Sequence, residues 1–254
     1  MPDTMRPSAD DILDRVLATG EQAVTRPPLR LGFSGLFAGL AMGLTGLGVA
    51  AALAEGASPA AAYLLYPLGF LAVILGRAQL FTENTLYPVV VTFDERRFLG
   101  RTARLWVIVF AANVLGALVF AFLAVRTGAL GAGIEQEVRT LGARAVLGTF
   151  GATFWSGVLG GFVIALVAWL VEATDDAAGR ALVIFALTYV VGLAQLDHCI
   201  ASAAYVLGDT LDGGTSVGEF ARWLAAATLG NTAGGVLIVA VLNYGQVRSS
   251  AAGA

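Results

Sequence analysis

Six long apolar runs constrain this chain more than any other property. They cover roughly residues 31–54, 62–93, 105–125, 147–171, 181–208 and 223–244, and each can cross a hydrocarbon core, which takes about 20 helical residues. Composition agrees: 57% of the 254 residues are hydrophobic and 13% charged, where a soluble domain carries about 25% charged residues. The reading is an all-α integral membrane protein with six transmembrane helices.

The second and fifth runs are interrupted. Gly76-Arg77-Ala78-Gln79-Leu80 returns as Gly192-Leu193-Ala194-Gln195-Leu196, 116 residues on, and polar or ionisable residues follow each copy: Thr82, Glu83 and Asn84 in one, Asp197 and His198 in the other. Leu31-Gly32 matches Leu147-Gly148 at the same offset. Ala103-Arg104 matches Ala221-Arg222, and Asn113-Val114-Leu115-Gly116 matches Asn231-Thr232-Ala233-Gly234, both 118 apart. Three spans per unit is an odd number, so the second unit must enter the bilayer from the opposite face. The chain reads as a 3+3 inverted repeat, over about 31–126 and 147–245, with the second and fifth helices broken at the midplane.

Irregular backbone survives at membrane depth only when buried in protein or lining a water-filled cavity. Each break also turns the free amides and positive end of a half-helix toward the bilayer centre, which suits an anion. Thr82, Glu83 and Asn84 are expected to fold the first break and cap a half-helix from Leu86 to Val91, with Pro88 in its first turn. Asp197 to Ser202 are expected to do the same for a half-helix beginning near Ala203.

The flanks divide the chain into residues 1–30, a single transmembrane domain at 31–245, and a tail at 246–254. Within the first segment Ile12, Leu13, Val16 and Leu17 fall at helical spacing with Asp10, Asp11, Asp14 and Arg15 on other faces, which predicts a short amphipathic helix at the membrane surface. The polar start contains no apolar core of a cleavable signal. There is no lysine, so arginine sets the orientation. Arg6, Arg15, Arg26, Arg30, Arg96, Arg97, Arg101, Arg104, Arg180 and Arg248 fall on one side, and Arg126, Arg139, Arg144 and Arg222 on the other. The bias predicts cytoplasmic termini. No basic patch points to nucleic acid. One cysteine, Cys199, and one histidine leave no residues for a disulfide or a metal cluster, so no metal or cofactor is expected.

Three motifs resemble the formate/nitrite transporter family. GRAQLFTEN at Gly76–Asn84 is similar to its G-x-x-L-F-T-G-N signature, DHCIASA at Asp197–Ala203 to its E-H-S-V-A-N-M segment, and GNTAGG at Gly230–Gly235 to its G-N-x-x-G-G. The resemblance runs from about residue 30 to 245. It implies an aquaporin-like six-helix protomer in a bacterial inner membrane, a homopentamer with one pore per subunit, and passage of small monovalent anions or their weak acids. It also implies that Leu80 and Phe81 belong to a hydrophobic constriction, that Thr82 lies on the first broken loop, and that His198 is the central pore histidine. A bare anion crosses an apolar constriction at high cost, whereas a protonated formate or nitrite does not, and a histidine can supply or bias that proton.

Four positions depart from the family pattern. Glu83 replaces the loop glycine, Ser202 the asparagine after the histidine, Gly161 an asparagine of the fourth span, and Arg180 a lysine beyond it. A carboxylate at Glu83 would repel an anion unless protonated, turned away or paired, and Arg77 is the nearest partner in sequence. Glu83 therefore reads equally as a loop anchor salt-bridged to Arg77 and as a proton-relay or selectivity group. Asp197 is expected to satisfy loop amides, Thr82 and Ser202 to form loops, and Asn113 and Asn231 to hydrogen-bond neighbouring helices or the broken segments.

Other classes remain. A membrane hydrolase would need more than adjacent His198 and Cys199, so no enzyme is expected, and the paired Asn-Pro-Ala loops of a true aquaporin are absent. The strongest alternative is a non-conducting or sensory membrane protein whose pore Glu83 and Arg77 block.

Overall fold

The computed structural model describes residues 7–251. Arg6 and residues 252–254 of the expected tail lie outside them. Among the described residues every regular element is helical: α1 (Ala9–Thr25), α2 (Pro28–Ala54), α3 (Pro59–Ala62), α4 (Pro67–Leu75), α5 (Tyr87–Asp94), α6 (Leu99–Arg126), α7 (Ala132–Ala145), α8 (Phe150–Glu172), α9 (Ala177–Leu193), α10 (Ala203–Asp212), α11 (Val217–Ala233) and α12 (Val241–Ala251). A π-helical turn at Gly234–Ala240 joins the last two. Residues 246–251 of the expected tail thus continue α12.

Four helices are long and apolar enough to cross a membrane: Pro28–Ala54, Arg96–Arg126, Phe150–Glu172 and Val217–Ser249. The runs at 62–93 and 181–208 are not continuous helices. The first divides between α4 and α5, the second between α9 and α10.

The helix starts follow from sequence. Ser8 and Asp11 form a reciprocal capping box on α1, with Ser8 N donating to Asp11 Oδ2 at 2.8 Å and Asp11 N to Ser8 Oγ at 3.1 Å, and Ser216 and Glu219 repeat it on α11. Pro28 and Pro59 enter first turns, where a missing N–H costs nothing.

The two halves repeat four elements, not three. Residues 126–147, read from sequence as a connection, contain α7, and α7 is the counterpart of α1. Gly20 of α1 lets that helix approach so closely that a Cβ there would meet the Tyr87 carbonyl and Val91 of α5; Gly142 of α7 stands in the same relation to the Tyr205 carbonyl and Asp209 of α10. The amphipathic helix expected at the membrane surface is therefore docked on the bundle through Leu13, Val16, Ala23 and Val24.

Arginines lock the same two corners. Arg104 Nη2 donates to the carbonyls of Val24 and Arg26 at 3.0 and 3.2 Å, and Arg222 donates to those of Val146 and Gly148, each at 2.7 Å. Where α2 crosses α6, a Cβ on Gly39 would strike the Asn113 carbonyl. Where α8 crosses α11, one on Gly161 would strike that of Asn231. These pairs set the register: α1 and α2 map onto α7 and α8 at 122 residues, and the broken segments and α6 map at 118. The textual match at 116 residues is thus two residues out of the register that the fold uses.

Candidate functional site

The chain leaves helical conformation at equivalent points. Arg77 (φ 53°) and Gln195 (φ 52°) adopt the left-handed conformation, and the next amides, Ala78 N and Leu196 N, bond back to Val73 O and Val191 O, each at 3.0 Å. A buried asparagine then holds each break. Asn113 Oδ1 accepts from Phe81 N at 2.9 Å while its Nδ2 donates to Gly35 O and Gln79 O at 2.8 and 3.0 Å. Asn231 Oδ1 accepts from Cys199 N at 2.8 Å while its Nδ2 donates to Gly157 O and Asp197 O at 2.8 and 2.9 Å. Ser34 Oγ takes Gln79 N at 3.0 Å and Ser156 Oγ takes Asp197 N at 2.9 Å. Each break thus has two of its amides and one of its carbonyls held by side chains from the two helices beside it.

At the first break the side-chain cap expected from Thr82, Glu83 and Asn84 does not form on α5. Neither Leu86, which precedes α5, nor Ser202, which precedes α10, makes a side-chain cap hydrogen bond. The first break instead runs into a 3₁₀ turn at Glu83–Thr85, whose backbone satisfies itself: Asn84 N bonds Leu80 O at 3.2 Å and Leu86 N bonds Glu83 O at 3.0 Å. At the second break His198 does the capping, its Nδ1 accepting from Ala201 N at 2.9 Å and Ile200 N at 3.3 Å.

Two cavities approach this junction. One, of about 430 Å³, lies between α1 and the first break and is lined by Gln22, Arg77, Gln79, Glu83, Asn84 and Tyr87. The other, of about 240 Å³, lies between α7 and the second break and is lined by the counterparts Arg144, Gln195, Asp197, Ser202 and Tyr205. Thr82 and His198 are fully buried and line neither cavity. Thr82 Oγ1 lies 2.8 Å from His198 Nε2, and each sits on a break whose neighbouring residues, Leu80 and Glu83 in one and Asp197 and Ser202 in the other, do line a cavity. Because Nδ1 already accepts two amides, the hydrogen bonds assign the neutral tautomer with its proton on Nε2. That N–H donates to Thr82 Oγ1 and leaves the Thr82 hydroxyl hydrogen free to donate onward.

The remaining site residues fall in several places. Leu80 is fully buried and lines the α1-side cavity. Phe81 turns toward α6, its ring 5.0 Å from that of Phe110 and 5.9 Å from that of Trp106, and lines neither cavity, because its amide is tied to Asn113. The ring against His198 is that of Phe70, at 5.1 Å edge-on, which the sequence reading did not single out. Asn84 Nδ2 donates to Leu80 O at 2.9 Å and to Gln79 Oε1 at 3.2 Å, and its carbonyl accepts from Trp106 Nε1 at 2.8 Å. Asp197 Oδ1 accepts from Trp223 Nε1 at 2.8 Å, and Ser202 Oγ accepts from Tyr205 OH at 2.5 Å.

The Arg77–Glu83 ion pair, one of the two readings of Glu83, is not among those formed by the described residues. The left-handed turn at Arg77 leaves that side chain exposed, while Glu83 is buried in the 3₁₀ turn beyond the reversal. Sequence reasoning also passed over Glu172, at the end of α8, which lines the α1-side cavity with Glu83. It missed Ser34 and Ser156 too, although Ser34-Gly35-x-x-x-Gly39 and Ser156-Gly157-x-x-x-Gly161 repeat openly.

Among solved structures, an FNT family ion channel superposes with a TM-score of 0.83 at 17% identity, over 92% of this chain and 98% of that one. A pentameric formate channel with formate bound superposes with a TM-score of 0.71, also at 17% identity, over 87% and 98%. The chain is 27% identical to the inner membrane protein YfdC of Escherichia coli (strain K12), over 94% of this chain and 78% of YfdC. Fold and site together define a multi-pass membrane protein of the channel and transporter class. A family model for formate/nitrite transporters matches residues 10–245, and the chain belongs to the formate/nitrite transporter family.

Proposed function

We propose that this protein carries small monovalent anions, such as formate or nitrite, across a cytoplasmic membrane as their neutral conjugate acids, along a path joining the two cavities through the Thr82–His198 junction. The single observation that carries this reading is the hydrogen bond between Thr82 and His198, at 2.8 Å, which ties together two breaks whose flanking residues line cavities built from counterpart residues. The relayed donor, His198 Nε2–H to Thr82 O–H, offers one hydrogen to a permeant oxygen in a dry passage. Leu80 then faces a molecule that is no longer charged. Phe70, edge-on to His198 at 5.1 Å, adds an aromatic ring beside the junction to the constriction read at Leu80 and Phe81.

The wider reading is six spans in a 3+3 inverted repeat, the second and fifth broken near the midplane, with transmembrane residues 31–245 and both termini cytoplasmic. The protomer assembles as a homopentamer, in keeping with the fold it shares with a pentameric formate channel. The breaks keep their asparagine and serine anchors, so Asn113 and Asn231 support the pathway without touching the permeant, and Asp197, bonded to Trp223, lines the α7-side cavity.

Purified protein in proteoliposomes tests this reading with formate, nitrite, acetate, hydrosulfide and chloride between about pH 5 and 8, the range that brackets neutral titration. Formate or nitrite flux above that of empty liposomes, rising toward acid, is the expected result. Thr82→Val keeps the side-chain shape and removes one donor to a polar permeant, worth about 1.5 kcal/mol or more, so flux should fall about tenfold with the fold intact. Flux equal to empty liposomes for every solute would favour the non-conducting alternative.

A further inference from the structure

The α1-side cavity contains a feature that the rest of the permeation site does not use. Glu83 is 7% exposed and lines the cavity, and its carboxyl makes no hydrogen bond or ion pair among the described residues. Glu172 of α8 lines the same cavity; its Oε1 accepts from Thr19 Oγ1 at 3.0 Å. The other charged or titratable groups facing the cavity are Arg26, Arg77, Tyr87 and Arg180. The Tyr87 hydroxyl bonds Ala168 O at 3.1 Å and Arg180 Nε bonds Thr174 O at 2.9 Å, and none of the three arginines pairs with either glutamate.

A buried carboxyl that no donor reaches, and that none of the three arginines on the cavity wall pairs with, is cheapest as the neutral acid, and two carboxylates sharing one enclosure resist being ionised together. His198 is a poor reservoir for a second proton, because Nδ1 is occupied by two amides. We propose that Glu83 and Glu172 form a proton-holding site that keeps one exchangeable proton and passes it to the permeant before the Thr82–His198 junction. The Glu83 O–H bond breaks, the proton joins the anionic oxygen of the permeant to give the neutral acid, and the Glu83 carboxylate regains a proton from cavity water through Glu172. The site is specific to one end: the counterparts of Glu83 and Glu172 are Ala201 and Ala50, both buried. Its use as a proton source rests on the transport reading above, whereas its existence does not.

Difference infrared spectra of the purified full-length protein, recorded from about pH 5 to 8, test the site without transport. The expected result is a protonated-carboxyl C=O band that shifts in D₂O, fades as pH rises, is lost in Glu83→Gln, and changes its pH midpoint in Glu172→Gln. A wild-type protein without that band, or Glu172→Gln with an unchanged midpoint, overturns the proposal even if Glu83→Gln does not fold. Flux in the same samples separates the two readings. A band that behaves as described in a protein without flux keeps the site and removes the transport role, and flux without the band does the reverse.

Discussion

The cavity beside α1 and the cavity beside α7 are built by counterpart elements held in the same way, yet they differ in charge. Each is framed by an amphipathic helix packed on a half-helix, an asparagine that ties down a break, and a serine that takes one loop amide. The residues that fill these frames do not match. Beside α1 the cavity presents two glutamates and three arginines. Beside α7, Asp197 is already bonded to Trp223, and the counterparts of both glutamates are alanines. Backbone polar groups must be satisfied wherever a membrane helix is interrupted, so the frame cannot drift far in either half. Side chains facing the cavity carry no such obligation, and function can diverge there.

The comparison breaks most directly at the asparagines. Asn113→Leu and Asn231→Leu each leave one loop amide and one loop carbonyl without a partner in a buried position, at about 1–3 kcal/mol apiece. Both variants should unfold well below wild type in detergent by thermal melting monitored by circular dichroism, and by similar amounts. A strong loss in one half and none in the other would show that the frame is not shared.

The arginines sharpen it. Arg222 uses two nitrogens on two carbonyls, whereas Arg104 reaches both of its carbonyls through Nη2 alone and keeps a buried Nε without a partner. Loss of either should cost on the order of 1–3 kcal/mol, with Arg222→Ala the more damaging. Denaturant melts of the two alanine variants decide the order, and equal midpoints would remove the distinction.

The smallest effect is on pH. Hydrogen bonds from the Ser8 hydroxyl and then its amide hold the Asp11 carboxyl below its ordinary value, and α7 has no side-chain cap at Gly131. A folded value below the unfolded one means that the stabilisation is present above about pH 4 and is lost as pH falls through the folded value. Amide exchange, corrected for intrinsic rates, should therefore accelerate in the first turn of α1 on acidification with no matching change in α7. Parallel behaviour of the two helices would contradict this.

Much of the site was legible because it departs from an apolar background. Thr82 and His198 stand out in long hydrophobic runs, as do Asn113 and Asn231, and their positions led to the breaks. Phe70 and Glu172 did not stand out, one being a phenylalanine among apolar neighbours and the other a carboxylate closing a helix. The repeated pentapeptide pointed to the right places in the wrong register. It matches side chains that tolerate apolar surroundings, whereas the fold matches residues by the backbone groups they must satisfy. α7 was missed because residues 126–147 are too polar for a span, although Ile134, Val138 and Leu141 fall at helical spacing.

The sequence by itself determined the solvent, the long apolar helices, the two interruptions and the polar residues placed there, because each is a local consequence of hydropathy and backbone chemistry. Tertiary structure alone decided which residues meet. The Thr82–His198 bond spans 116 positions, Phe81 turns away because Asn113 holds its amide, and Glu83 faces Glu172 across a cavity instead of pairing with Arg77. Such pairings depend on helices crossing at glycines whose close approach no single run encodes, so they exist only once both halves have packed.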